Sequence, residues 1–206
     1  MGTEEIVEQL GARVLYVPWS AESVTAAAEL ALELRNETHA RGVVVVDQMT
    51  VIPDELLAWP YRTLKTRTVI DAADVLAVIR PSYELLAQVR LPASGFAVVA
   101  EDPGDRLSGW ARFAGARNVA TGEVLTPNLD EATQDAFDAL IGSGYKGWTD
   151  DRSQMKAKEA ISTLRALGTS STQILGYVLN GATSGRNRGQ APFAGRHVLR
   201  LRKLLS

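Results

Sequence analysis

Arg196, Arg200 and Lys203 recur at three- to four-residue spacing near the end of the chain, so on a helix they share one face. Guanidinium and ammonium groups arranged in this way suit phosphate oxygens and base edges. Arg186 and Arg188 precede them in "GATSGRNRGQ", where small neighbours let the backbone approach a phosphate closely. A second group of reactive types lies in the first half. Ser20, His39 and Asp47 are the residue types of a hydrolase triad, but no GxSxG elbow accompanies them. Asp47 follows the run "VVVV", where α/β proteins place functional carboxylates. Asp71 and Asp74 flank a further apolar run and could join Asp47 around Mg²⁺, as in a nuclease or a nucleotide-binding domain. No glycine-rich phosphate loop follows any apolar run. The chain has no Cys and only two His, His39 and His197, which excludes thiolate and multi-histidine metal sites. No cofactor is expected.

Buried strands are expected at 12–19, 43–48, 75–79 and 95–102, the second a continuous β-branched run. Helices are expected at 20–42, 53–67 (broken near Pro60), 82–90 and 130–144. Ser20 is the natural N-cap of the first, and Gly42 its stop. A hairpin turn is expected at Thr121-Gly122. This alternation argues for an α/β fold with a mostly parallel sheet and flanking helices. "SGYKGW" (143–148) reads as a hinge. Three further helices follow, at about 150–167 (capped by Thr149), 171–180 and 194–205. Short helices sharing a small core, the last one basic, have the layout of a helix-turn-helix domain. Two domains are therefore expected, 1–145 and 149–206.

Charge divides along the same line. Residues 151–206 hold ten basic and two acidic residues, a net +8, while residues 1–150 carry −10. Such asymmetry suggests parts with different partners. An apolar fraction of 46% with 22% charged residues fits a folded globular chain rather than a disordered one. No apolar run approaches the roughly 20 residues needed to span a bilayer. No membrane partner is expected, and a cytoplasmic location follows by default.

The stretch "LRALGTSSTQILGYVLNGATSGRNRGQAPFAGRHVLRLRKLL" (164–205) resembles the DNA-binding region of large serine recombinases. The matching residues are Leu164, Gly168, Ser170, Ile174, Leu179, Asn180, Gly189, Phe193, Val198, Arg200 and Leu204, with Phe193 where that family usually has Trp. The likeness covers about one fifth of the chain. It implies duplex DNA as a partner, met by Ser171, Thr172, Gln173, Arg186, Arg188, Arg196, His197, Arg200 and Lys203. It also implies a resolvase-like catalytic domain, in which "YVPWS" (16–20) stands for the family's YxRxS strand and puts Ser20 at the nucleophile position. Pro18 replaces the family's Arg. "IRPSYELL" (79–86) stands for RxDRxxR: Arg80 matches the first Arg, Ser82 and Tyr83 replace the Asp and the second Arg, and the third has no counterpart. Arg62, Lys65 and Arg67 are the remaining basic candidates. Serine attack on a phosphodiester needs clustered cations to hold the developing charge, and this cluster is largely dismantled. The resemblance therefore implies a DNA-binding regulator or accessory factor without strand cleavage, whose first domain contacts a second copy or a protein partner. The alternatives are an active recombinase using Ser20 and Arg80, and the Mg²⁺ enzyme around Asp47.

Overall fold

The valine- and alanine-rich runs form strands buried on both faces, as parallel sheets require. In the computed structural model, which describes residues 3–66, 68–104, 106–144, 147–184 and 195–205, the chain runs in the following order. It begins α1 (Thr3–Leu10), β1 (Val14–Val17), α2 (Ser23–Thr38), β2 (Gly42–Val45), β3 (Tyr61–Arg62), β4 (Val75–Ile79), α3 (Tyr83–Leu86). It continues β5 (Phe96–Ala100), α4 (Ser108–Phe113), β6 (Arg117–Asn118), α5 (Glu131–Ser143), α6 (Asp151–Ala166), α7 (Ser171–Ser184), α8 (Gly195–Leu205). The six strands form one all-parallel sheet in the order β3-β2-β4-β5-β1-β6.

Alternate residues of each strand feed two separate cores. Leu15, Val17, Val44, Val75, Ala77 and Val98 pack under α1 and α2. Val14, Tyr16, Val43, Leu76, Val78 and Val99 face the other way, beneath α3 to α8. This second core takes in Trp110 of α4, Phe137 of α5, Ile161 of α6, Ile174 and Val178 of α7, and Val198 and Leu201 of α8. The helices after residue 149 thus share one core with the sheet. Among the described residues, Trp148 and, beyond it, Ile161, Ile174 and Val198 belong to that same buried cluster. Trp148, in the expected hinge, is 1% exposed, and its indole N–H donates to Ser143 Oγ at 3.0 Å.

Close helix crossing holds this layer. A Cβ at Gly109 of α4 would collide with the carbonyl of Thr172, and one at Gly176 of α7 with the backbone of Gly109 and Trp110. The two backbones therefore meet with no side chain between them. Beside the crossing, Phe137 stacks on Tyr177 with centroids 4.1 Å apart, and Phe113 meets both rings edge-on.

Several local expectations change. Of the helix expected at 53–67, the described residues 53–66 hold only a single 3-10 turn at Asp54–Leu56, followed by β3. The backbone there is used in the sheet: Pro60 O accepts from Val44 N, and Trp59 packs on Gly42. Helix α2 starts at Ser23 with Glu22 as N-cap, so Ser20 does not cap it. Asp150 rather than Thr149 caps α6, in a reciprocal box with Ser153. Helix α7 continues through Asn180 and Gly181. The turn at Gly122 is present, with φ +74° and its N–H on Asn118 O.

Candidate nucleic-acid interface and the carboxyl edge of the sheet

Helix α8 is amphipathic. Val198, Leu201 and Leu205 enter the shared core, which fixes the rotation of the helix and turns Arg200, Arg202 and Lys203 outward. Arg200 Nη1 donates to Gly147 O at 3.3 Å, and the Arg202 guanidinium lies over the Tyr83 ring, 5.3 Å from its centroid. Trp148, Thr149, Gln154, Arg200, Lys203 and Leu204 line a shallow cleft of about 200 Å³. Arg165 anchors the end of the helix by donating to Leu205 O. Arg186 and Arg188 lie outside the described residues, as do Arg67, Gly189 and Phe193, and only the backbone of Arg196 is described.

Other expected DNA contacts are used internally. His197 is 8% exposed and its ring fills the space over Gly147, where a Cβ would strike it. It is withdrawn from any groove. Ser171, Thr172 and Gln173 form the half-buried first turn of α7, beside Gly109 of α4. Gln173 Oε1 accepts from Ser170 N at 2.8 Å, and Ser170 Oγ accepts from Gln173 N at 3.3 Å. That turn is occupied by its own cap and by α4.

The second locus is the carboxyl edge of the sheet. Strands β1 and β5 are neighbours, but α2, which follows β1, packs on one face and α4, which follows β5, on the other. Such a switch point opens the crevice where open α/β sheets bind ligands. Here Glu101, 3% exposed, sits at the end of β5. Its carboxylate accepts from Trp19 N at 3.2 Å and Leu107 N at 2.8 Å, and pairs with Arg106 Nη1 at 3.4 Å. Burial, and then the hydrogen bond to Glu101, push the neighbouring Tyr16 hydroxyl well above its ordinary range. Arg106 also covers Trp19, 5.9 Å from the ring centroid. The chain's own carboxylate thus occupies backbone donors at the crevice.

Ser20 is exposed on the loop after β1, and its hydroxyl has no hydrogen-bond partner among the described residues. Among the described residues, none of the expected cations Arg62, Lys65 and Arg80 reaches it by hydrogen bond. Arg62 lies on β3, four strand spacings or about 19 Å from β1, and donates to Gln88 O at 2.9 Å. The acidic cluster does not assemble either. Asp47 accepts from Ser82 N and Oγ at 2.6 and 2.8 Å at the carboxyl edge. Asp74 precedes β4 at the opposite edge, roughly 20 Å away along the strands. There it is bound by Arg41 at 2.6 Å and by Asp71 N. No group of three metal-ligating side chains occurs among the described residues, and no helix among them is long and apolar enough to cross a membrane.

Sequence reasoning missed Glu101, Arg106 and Trp19 as a unit. The signal available was "VVAED" followed by a glycine turn, a strand exit rich in acids. No family model, curated protein or solved structure matches the chain.

Proposed function

We propose that the protein binds duplex DNA through the outward basic face of α8 and the loop before it, and does not cut the strand. The observation that carries this reading is the fixed orientation of α8: its apolar stripe is buried, so Arg200 and Lys203 are presented together on the surface. The +8 charge of residues 151–206 supplies the sequence-independent attraction to phosphates. The resemblance of residues 164–205 to recombinase DNA-binding regions is a second support and assigns the helix-turn-helix role to α7 and α8. The protein then acts as a regulator or accessory factor, and its acidic part contacts a second copy of the chain or a protein partner. The exposed Ser20, with no cation among the described residues bonded to its hydroxyl, supports binding without cleavage.

The test is a titration of the full chain into labelled duplex fragments. The double variant Arg200→Ala/Lys203→Ala should bind about 5- to 150-fold more weakly, at roughly 0.5–1.5 kcal/mol per charged contact. Equal affinity of the two proteins would remove α8 as the interface. A denaturing gel of the same mixtures should show no covalent protein–DNA species. A covalent species lost in Ser20→Ala would establish the recombinase instead.

A further inference from the structure

Arg112, in the last turn of α4, makes no side-chain hydrogen bond or ion pair with any described residue. It lines a cleft of about 320 Å³ together with Asp130 at the N-cap of α5, Gln173 of α7 and the rings of Phe113 and Phe137. Four separate pieces of chain wall this cleft: the end of α4, the loop at 127–129, the start of α5, and the α6–α7 turn at 167–169. The backbone contact of α4 with α7 at Gly109 and Gly176 fixes two of them, and the packing of Phe113, Phe137 and Tyr177 ties α5 to both. The cleft is therefore formed before any ligand arrives. Its volume lies at the lower end of small-molecule sites, about 300–1,000 Å³.

The lining chemistry selects the ligand. Arg112 and Asp130 carry opposite charges on one cleft and do not pair with each other. Asp130 Oδ1 accepts from Thr133 N at 2.8 Å. A carboxylate has about four acceptor positions, so the cap leaves capacity for a donor from outside. Gln173 Oε1 is engaged by Ser170 N at 2.8 Å and Ser170 Oγ at 3.0 Å, while its Nε2 donates to no described residue. Phe113, Phe137 and Leu167 give the same cleft apolar surface. A simple anion would satisfy Arg112 and be repelled by Asp130, and a simple cation the reverse. A molecule with both charges and an apolar group satisfies all three features. We propose that this cleft binds a free α-amino acid with an aromatic or large aliphatic side chain. Arg112 takes the carboxylate, through the two parallel hydrogen bonds its guanidinium fork allows. Gln173 Nε2 is the further donor to that carboxylate, Asp130 accepts from the ammonium, and Phe113 and Phe137 receive the side chain. The site shares no residue with the basic face of α8 or with the carboxyl edge of the sheet, and it does not depend on the DNA-binding reading.

The experiment is a calorimetric titration of the full chain with L-phenylalanine and with L-leucine, paired with melting curves. At least one of the two should give a saturable isotherm and raise the melting temperature. Three relatives of L-phenylalanine test the charges. 3-Phenylpropionate lacks the ammonium and phenethylamine lacks the carboxylate. N-acetyl-L-phenylalanine amide has neither charge and stands for a residue inside a peptide. Each should bind about tenfold more weakly or worse. Arg112→Gln and Asp130→Asn should each weaken amino-acid binding by about 10- to 150-fold, the usual worth of a charge-assisted hydrogen bond. Both variants should fold, because Arg112 is exposed and Asn caps a helix as well as Asp does; their melting curves without ligand check this. Absence of binding by both amino acids would overturn the site. So would wild-type affinity in both variants, or binding of the blocked amide as tight as that of the free amino acid.

Discussion

Replacing Gly176 by alanine tests the helix crossing on which the shared core depends. Two effects compete. Alanine is favoured over glycine inside a helix by about 0.8–1.0 kcal/mol. Against this, the new Cβ would lie less than 3.0 Å from Gly109 C, Trp110 N and Gly109 O. All three are backbone atoms, so no side-chain rotation relieves the clash and α7 must move off α4. Overpacking costs typically 1–3 kcal/mol, and a rigid backbone neighbour puts this case at the upper end. The expected net loss is about 2 kcal/mol. For a chain of this size that lowers the melting temperature by about 4–8 °C. Gly142 of α5 is the control, since a Cβ there meets nothing within 4 Å. Gly142→Ala should therefore stabilise, by up to about 1 kcal/mol. Urea titrations of both variants, followed by circular dichroism and by tryptophan fluorescence, give the comparison. One core also requires the two signals to report a single coincident transition. If Gly176→Ala stabilised as Gly142→Ala does, or if the two probes separated, the direct backbone contact and the shared core would both be wrong.

Three further expectations follow. Ser20→Ala should change stability by no more than about 0.5 kcal/mol, as an exposed residue without a cap role does, and should leave DNA affinity unchanged in the same titration. Gly147→Ala should destabilise strongly, by about 2–4 kcal/mol, because φ is +73° and the Cβ would strike the His197 ring; a melting curve reads this. The Asp130 carboxylate accepts from Thr133 N at 2.8 Å, and the side-chain and backbone hydrogen bonds to Thr133 hold it below its usual value of 3.8. Its stabilising effect is therefore present above that value and lost as pH falls through the lower folded-state value. Asp130→Asn should flatten this part of the acid limb in melts recorded from neutral to acidic pH, and an unchanged limb would refute the cap.

The sheet was legible because its strands are extreme. "VVVV" at 43–46 and "VLAVI" at 75–79 admit only a strand buried on both faces. The short edge strands β3 and β6 were not legible, because two-residue pairings leave no periodicity to read. The region 53–67 has helix-forming Glu and Leu. Docking of Trp59 on Gly42 and pairing with β2 override that propensity, and neither contact is visible in sequence. Apolar stripes on α7 and α8 were readable, but a stripe does not say what it packs against. Their partners are α4 and α3 as well as each other, so a separate small domain was the natural reading. At the carboxyl edge, Ser20 and Arg80 could be singled out by type. The left-handed backbone and unpaired Nε of Arg80 and the plugging of the crevice by Glu101 depend on three strands meeting, which no local pattern encodes.

The salt dependence of duplex binding tests the central claim most directly. Each phosphate neutralised by a cation contributes about −0.9 to the slope of log affinity against log salt. The full chain should bind DNA with a steep negative slope. Arg200→Ala/Lys203→Ala should bind more weakly with a slope shallower by about 1.8, the loss of two contacts. A wild-type chain that fails to bind duplex DNA at low salt, or a double variant with the wild-type slope, would contradict the assignment of α8 as the DNA-binding face.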